Sequence, residues 1–254
     1  MLAIHAVPAF KDNYIWMLVD GAQAVAVDPG DDAPVETFLA QHRLRLAAVL
    51  ATHHHADHVG GLPALAGRWK CPTFGPAGEV AAALDTRLAE GDRFGVPDLG
   101  IELATLDIPG HTAGHIALTG AGLLFCGDTL FACGCGRLFE GTPAQMADSL
   151  AKLARLPAAT RVYCGHEYTL ANIRFAEAVE PGNARLAERK AREQAKRARG
   201  EPTLPSTIGE ELATNPFLRC TEAEVVRAAE RHAGRALGGP VEVFAEIRDW
   251  KNAF

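Results

Sequence analysis

The chain has 254 residues, of which 48% are hydrophobic and 22% are charged. This length and composition exclude a disordered protein, and they allow one large domain or a large domain with a smaller one. The formal net charge of −6 argues against a general nucleic-acid-binding protein, so we expect no nucleic-acid partner.

The sequence predicts neither a membrane span nor a secretion signal. No apolar run approaches the ~20 residues that cross a bilayer, and residues 1–8 lack a basic start and a long apolar stretch. Six irregularly spaced cysteines are too few for a disulfide scaffold, so free thiols are expected. We therefore expect a cytoplasmic protein with no membrane partner.

The first two-thirds of the chain predicts alternating strands and helices. Short apolar, β-prone runs predict strands at residues 14–19, 24–27, 46–51, 101–108, 115–118, 123–126 and 161–164. Helices are predicted at residues 34–41, 143–156 and 168–179. Residues 28–32 form a predicted turn before the first of these helices.

The character of the sequence then changes. Residues 184–199 are charged and helix-forming, and residues 200–205 break the chain with a glycine and two prolines. Further helices are predicted at residues 221–232 and 241–250. We therefore predict two domains, 1–172 and 173–254. Glutamates interrupt the basic run within residues 189–199, so we interpret this run as a solvated helix face rather than a nucleic-acid patch.

A cluster of histidines directly follows a predicted strand. The run THHHADHVGG (52–61) places five possible metal ligands within six residues, and loops at strand ends commonly carry functional sites. In an extended segment, His53 and His55 point the same way, whereas Asp57 and His58 begin the next turn and can face a second position. The alternative is a histidine-rich surface loop with incidental metal affinity.

The same pattern recurs at three further predicted strand ends. Possible ligands there are His111 in PGHTAGH, Asp128 in CGDT and His166 in CGHE. Together the candidate ligands are His53, His55, Asp57, His58, His111, Asp128 and His166. Seven ligands are too many for one tetrahedral zinc ion and suit two ions that share a carboxylate.

These motifs resemble those of the metallo-β-lactamase-fold hydrolases, and the match is closer to the glyoxalase II (hydroxyacylglutathione hydrolase) family. The histidine motif alone specifies the superfamily. The thioesterase family is specified by CGDTLFACGCGRLFEGT, VYCGHEYT, VEPGN, PSTIGEELATNPFLR and the terminal IRDWK. The resemblance runs from Tyr14 nearly to Phe254. It implies an α+β fold, a four-layer αββα metallo-β-lactamase-like sandwich with a smaller C-terminal α-helical domain.

The resemblance also implies two divalent metal ions per chain. The implied ligands are His53, His55 and His111 for the first ion, Asp57, His58 and His166 for the second, and Asp128 as a bridge. Zinc is the first choice of metal, and iron or manganese suits the same ligands. Three neighbours are not implied ligands: His54 faces away or braces the loop, His115 supports the ligand loop, and Asp28 is either a supporting carboxylate or a turn-former.

The implied reaction is hydrolysis of the thioester of S-2-hydroxyacylglutathione, notably S-D-lactoylglutathione. The products are glutathione and a 2-hydroxy acid (D-lactate), as in the second step of methylglyoxal detoxification. A hydroxide bridging the two ions would attack the carbonyl, with Asp57 and Asp128 as the catalytic carboxylates. The thiolate leaving group needs no general acid, because thiol pKa values lie near ~8.5.

Glutathione carries two carboxylates, so cations are its expected partners. The family pattern implies that substrate-binding residues are Arg137, Tyr168, Arg248 and Lys251. The chain departs from this pattern at two positions. Phe139 lacks the phenol hydroxyl that some members carry, which removes one polar contact, and Cys133 replaces a small residue. We interpret Cys133 and Cys135 as packing residues.

Two other readings remain open. One is another enzyme on the same scaffold: a lactonase, a β-lactamase-type hydrolase or a persulfide dioxygenase. Such relatives generally lack a helical C-terminal segment with the PSTIGEE, NPFLR and R-x-x-K elements. The other is a non-catalytic metal-binding or nucleic-acid-binding protein, which would bind metal without hydrolysing a glutathione thioester. We expect the chain to act as a monomer.

Overall fold

The computed structural model describes residues 2–79 and 84–254. The strands are β1 (Ala3–Ala9), β2 (Asn13–Asp20), β3 (Gln23–Val27), β4 (Arg45–Leu50), β5 (Thr73–Pro76), β6 (Thr86–Leu88), β7 (Arg93–Val96), β8 (Ile101–Asp107), β9 (Ile116–Gly120), β10 (Leu123–Gly127), β11 (Leu130–Phe131), β12 (Gly134–Cys135), β13 (Arg161–Cys164) and β14 (Ser206–Thr207). The helices are α1 (Asp32–His42), α2 (Ala56–Val59), α3 (Leu62–Trp69), α4 (Pro143–Ala154), α5 (Thr169–Val179), α6 (Ala184–Ala198), α7 (Ile208–Thr214), α8 (Ala223–Ala233) and α9 (Pro240–Ala253). A 3-10 turn occupies Pro216–Leu218.

All the strands and helices that the sequence predicts are present, with ends within a few residues of those predicted. The chain contains both β-sheets and helices, and its C-terminal region is helical. The predicted α+β class is therefore confirmed. Contacts between Cα atoms divide the chain into two compact units. The first comprises Met1–Asp107, Thr112–Gly127 and Tyr163–Glu167, and the second comprises Ile108–His111, Asp128–Val162 and Tyr168–Phe254.

The predicted boundary between residues 172 and 173 lies inside α5 and stays a prediction. In the part of the chain that the structure describes, no helix is both long and apolar enough to span a bilayer. The six cysteines are free, as expected.

The first unit is built around a six-stranded sheet with the order β1-β2-β3-β4-β5-β6. Strands β1, β2 and β3 pair antiparallel, and β3 to β6 pair parallel. Helix α1 connects β3 to the parallel strand β4, and the Asp31 side chain caps its first turn by accepting from the Ala33 N–H. Buried side chains such as Met17, Leu39 and Val49 form the core, and each stabilises the fold by roughly 1.5–3 kcal/mol.

A second, antiparallel sheet in the first unit pairs β7 with β8, β8 with β9 and β9 with β10. Strand β13 begins in the second unit, where its first residues pair antiparallel with β14, and it ends in the first unit. Beyond β13, the Gly165 N–H donates to the Gly127 carbonyl at 2.9 Å. Both β10 and β13 therefore end at candidate ligands, because Asp128 follows β10 and His166 follows β13.

The second unit contains α4 to α9 and the short β11–β12 hairpin. Its helix α6 corrects in part the interpretation of the basic run as a solvated face, because Arg192 and Arg199 are exposed but Arg189 is not. Arg189 is 1% exposed, and its guanidinium donates to the Glu211 carboxylate at 2.6 Å. Glu193 is also buried. A buried charge must be paired, so this part of the run faces the interior of the unit and is held there by α7.

Candidate metal centre

The histidine loop leaves β4 at its carboxyl end and is fixed by Asp28. One Asp28 oxygen accepts from the Thr52 N–H and the other from the Thr52 hydroxyl, both at 2.8 Å. Asp28 has a positive φ of 53° and is 4% exposed, so it is both a turn residue and a buried supporting carboxylate. A Cβ on Gly30 would lie 2.0 Å from the Asp57 carbonyl oxygen. Only glycine therefore lets this turn pack against the loop.

In the first unit, Asp57, His58 and His166 offer ligand atoms that all lie within 4.8 Å of one another. The Asp57 Oδ2 atom lies 3.7 Å from His58 Nε2 and 3.5 Å from His166 Nε2. Both imidazoles are almost fully buried, whereas the Asp57 side chain is 43% exposed. The cluster is thus anchored on its inner side and open to solvent on its outer side.

The other predicted ligands in this loop lie beside that cluster. The ring centroid of His53 lies 4.8 Å from that of His55 and 4.1 Å from that of His58. The Thr52 hydroxyl donates to Asp28, so the 3.0 Å contact between His53 Nδ1 and Thr52 Oγ1 requires Nδ1–H as the donor. The lone pair of His53 is then on Nε2. His58 Nδ1 lies 3.2 Å from Asp28 Oδ2, which favours the same tautomer.

Two histidines predicted not to be ligands lie at the edges of the loop. His54 Nδ1 pairs with the Glu79 carboxylate at 3.0 Å, and the same carboxylate accepts from the Thr112 hydroxyl. Glu79 is 5% exposed, so it ties the histidine loop to the segment that follows His111 in sequence. His115 stacks on His53 with 4.5 Å between ring centroids and 14° between planes. These contacts agree with supporting roles.

In the second unit, His111 and Asp128 lie together. His111 Nε2 is 3.5 Å from Asp128 Oδ2, and both side chains are largely buried. His111 Nδ1 lies 2.9 Å from the Arg137 carbonyl, which can only accept, so Nδ1 carries the proton. A Cβ on Gly136 would lie 1.9 Å from the Asp128 carbonyl oxygen. The glycine therefore allows the loop before Arg137 to pack directly on Asp128.

The backbone of that loop, residues 131–135, is held by polar side chains of α7 and of Asn215, the residue that follows α7. Asn215 donates to the carbonyls of Phe131 and Gly134 at 3.0 and 2.9 Å. The Cys133 N–H donates to Glu211 at 2.8 Å, although φ of Cys133 is +54°. Burial raises the pKa of the Cys133 thiol to about 12, which suits an inert packing residue.

Three predicted substrate-binding residues form a group of cations in the second unit. Arg248 is 3% exposed and donates to the Cys135 carbonyl at 2.8 Å. The Lys251 ammonium donates to the Asn172 side-chain oxygen. Burial, with the positive charges of Arg248 and Arg137, lowers the pKa of Lys251 to about 8. Within residues 2–79 and 84–254, no carboxylate lies within ion-pair distance of these three side chains. They are therefore a candidate anion site.

Tyr168, the fourth predicted substrate-binding residue, and Phe139, one of the departures from the family pattern, also lie in the second unit. Tyr168 starts α5 and packs edge-on against Phe131 with 5.3 Å between ring centroids. Phe139 is 64% exposed and packs edge-on against the ring of His111 at 5.3 Å. An exposed aromatic side chain beside a candidate ligand offers apolar contact but no hydrogen bond.

Residues of the site that sequence reasoning missed are Asp12, Asn13 and Glu79. Asp12 Oδ1 lies 2.9 Å from His166 Nδ1, and the Asn13 side chain donates to Asp57 Oδ2 at 3.0 Å. No sequence motif identifies these positions, because Asp and Asn next to the start of a strand are typical of an ordinary turn.

Comparisons with known proteins cover the whole chain. The family model described as the metallo-beta-lactamase superfamily matches residues 10–166, and the one described as the hydroxyacylglutathione hydrolase C-terminus matches residues 167–254. A hydroxyacylglutathione hydrolase from Nitrosomonas europaea is 54% identical over 254 residues, covering 100% of this chain and 97% of the relative.

Two solved structures have the same fold. The crystal structure of ETHE1 from Myxococcus xanthus is 26% identical with a TM-score of 0.67, covering 98% of this chain and 90% of that one. A protein crystallised in a di-iron-bound form is 25% identical with a TM-score of 0.61, covering 84% of this chain and 100% of that one. The full-length identity and the two family models agree, and the chain belongs to the hydroxyacylglutathione hydrolase family of the metallo-β-lactamase superfamily.

Proposed function

We propose that the chain hydrolyses the thioester of S-2-hydroxyacylglutathione, with S-D-lactoylglutathione as its main substrate. The products are glutathione and D-lactate, and the reaction is the second step of methylglyoxal detoxification. The observation that carries the proposal is the combination of a His/Asp cluster able to bind metal with buried cations that lack carboxylate partners. The His/Asp cluster could bind the metal ions that activate water for hydrolysis, and the cations could bind the two carboxylates of glutathione.

The donor set fits divalent metal ions. Imidazole nitrogens and carboxylate oxygens are ligands for zinc, iron and manganese, and the atoms of Asp57, His58 and His166 already converge. We assign His53, His55 and His111 to one ion, Asp57, His58 and His166 to the other, and Asp128 to both. Zinc is our first choice, and iron or manganese would serve the same ligands.

When bound, such ions lower the pKa of water toward neutrality and polarise a carbonyl group. The residues of the chain then have distinct tasks. Asp57 and Asp128 keep negative charge at the reacting end, and the buried imidazoles hold their orientation through the Nδ1 contacts described above. No side chain needs to protonate the leaving group, because a thiolate departs with its own charge.

Arg137, Tyr168, Arg248 and Lys251 would bind glutathione. Arg248 is buried and Lys251 is half-buried, both without a counter-charge among the described residues, a costly arrangement that a carboxylate of the ligand would relieve. The Nε–H of Arg248 also has no hydrogen-bond acceptor among the described residues. Arg137 is exposed and can reach a second negative group of the ligand. We further propose that the enzyme acts as a cytoplasmic monomer, without a nucleic-acid or membrane partner.

The test is metal analysis of the purified protein together with steady-state kinetics on three substrates. These are S-D-lactoylglutathione, a small thioester without glutathione, and a lactone. We expect about two metal ions per chain and a strong preference for the glutathione thioester. Preferred turnover of the lactone, or iron-dependent oxygen consumption with a glutathione persulfide, would favour another enzyme of the same scaffold. Bound metal without any hydrolysis would indicate a non-catalytic protein.

A further inference from the structure

Two adjacent residues outside every motif contact two candidate ligands of a single ion. Asp12 Oδ1 lies 2.9 Å from Nδ1 of His166, and the Asn13 amide donates to Oδ2 of Asp57 at 3.0 Å and to its carbonyl at 3.3 Å. All four residues belong to the first unit. Asn13 is 7% exposed and His166 is 5% exposed, so each contact joins a buried side chain to a more exposed carboxylate.

The backbone holds these side chains in place. The Glu167 N–H donates to the Asp12 carbonyl, and the Tyr14 N–H donates to the Gly165 carbonyl, both at 2.8 Å. Next along β2, the Trp16 indole donates to the Cys164 carbonyl at 3.0 Å. The start of β2 is thereby fixed on both sides of His166. Backbone pairing therefore places the main chain of Asp12 beside His166, within reach of its side chain.

The contact determines which nitrogen of His166 can bind metal. A carboxylate accepts, so Nδ1 carries the proton and the lone pair is on Nε2, which lies 3.5 Å from Asp57 Oδ2. A carboxylate behind the ring also makes the imidazole a stronger ligand. His58 has its own carboxylate in Asp28, but Asp28 also holds Thr52 in the loop. Asp12, by contrast, is near the surface and bonds to no other side chain among the described residues.

We propose that Asp12 and Asn13 are positioning residues for the second metal ion: Asp12 fixes the tautomer and direction of His166, and Asn13 fixes the Asp57 carboxylate. The inference rests on the metal assignment of the proposed function, and it does not depend on which substrate is hydrolysed. It predicts that the two residues set the affinity for one ion and leave the other ion unaffected.

The test measures metal binding directly. Apoprotein of the parent and of Asp12→Ala, Asp12→Asn and Asn13→Ala is titrated with Co²⁺ while the visible spectrum is recorded, and Zn²⁺ affinities are obtained by competition with a chelator. Lys11→Ala is the matched control, since Lys11 is an exposed neighbour on the same turn. We expect Asp12→Ala to weaken one of the two binding steps about 10- to 100-fold. Asp12→Asn should restore part of the loss, because its amide oxygen still accepts from Nδ1–H.

Three results would overturn the inference. They are parental affinities in both steps for Asp12→Ala, an equal loss in both steps, or no recovery in Asp12→Asn. Circular dichroism checks that each variant is folded, and if Asp12→Ala does not fold, Asn13→Ala must show the selective loss. A parent protein that binds two ions but hydrolyses no glutathione thioester would refute the proposed function and leave this inference standing.

Discussion

Lys251 allows the role of the candidate anion site to be tested. Its charged ammonium should lower the stability of the folded protein and strengthen the binding of the substrate. Its pKa is lowered from 10.5 to about 8, first by burial and then by Arg248. At about 1.4 kcal/mol per pKa unit, keeping the ammonium charged in the folded protein costs ~3 kcal/mol below pH 8. The unfolded chain binds more protons between pH 8 and 10.5, so the free energy of unfolding should rise with pH across this window.

Lys251→Met keeps an apolar side chain and removes the ammonium, which lies 5.9 and 5.7 Å from the ring centroids of Phe175 and Phe217. Removing the charge at pH 7 should raise the free energy of unfolding by up to ~3 kcal/mol, less ~1 kcal/mol for the lost hydrogen bond to Asn172 and ~0.5 kcal/mol for the lost contacts with the rings, which leaves a gain of ~1–2 kcal/mol. The gain should shrink as the pH rises through 8 and disappear near 10.5. Urea unfolding of metal-saturated protein measures it, and Lys11→Met, at an exposed lysine, serves as the control.

The same substitution should weaken the binding of the glutathione thioester. A charge-assisted contact is worth roughly 1.5–3 kcal/mol, so KM should rise about tenfold to a hundredfold with a smaller change in kcat. In the parent, the ratio of kcat/KM for the glutathione thioester to that for a small thioester should fall above pH 8, as Lys251 loses its proton. Taking the ratio cancels any titration at the metals. A variant that is no more stable at pH 7 would refute the burial argument, and an unchanged KM would refute the role in binding.

Four further substitutions test other parts of the structure. Asp128→Ala removes the carboxylate proposed to bridge the ions, so bound metal should fall and hydrolysis should collapse; two retained ions with near-parental turnover would contradict the ligand assignment. Elemental analysis should show that His55→Ala loses metal and that His54→Ala keeps it. Equal losses would show that the interpretation in which His53 and His55, but not His54, face the metal is wrong. Glu211→Gln removes the nearer of the two carboxylates that face the buried Arg189 guanidinium and leaves it with Glu210 at 3.9 Å, so it should cost up to about 3 kcal/mol in urea unfolding, a loss that an unchanged midpoint would disprove.

Four of the seven candidate ligands could be picked out from the sequence because their spacing is local, and the other three because each lies at a predicted strand end. The run from His53 to His58 places the residues on one strand end and one helical turn, and chemistry restricts the residue types that can stand there. The longer strands could also be predicted, because each is a continuous apolar run. Short elements such as β11 and β12 have two residues each, which is too few to show a period.

Long-range pairing accounts for what the sequence could not predict. Arg189 is buried because Glu211, 22 residues later, supplies a carboxylate inside the second unit, and nothing in the local pattern of α6 distinguishes it from its solvated neighbours. The contact between Asp12 and His166 spans 154 residues. Polar residues in turns are common, and only the folded chain shows which of them faces a ligand.

Side chains from other segments hold the loop of residues 131–135 by its backbone, and this limits which residues of the loop can change. Asn172, Asn215 and Glu211 bond to its carbonyls and to one N–H, so they recognise the backbone of the loop. Asn172 also restricts one side chain, because a Cβ at Gly134 would lie 2.5 Å from its amide nitrogen. The bond from Cys133 to Glu211 uses the backbone N–H and does not depend on the side chain at position 133. We therefore expect position 133 to accept other residues and position 134 to require glycine, and Asn172, Glu211 and Asn215 would have to be transferred together with the loop in any chimera between relatives.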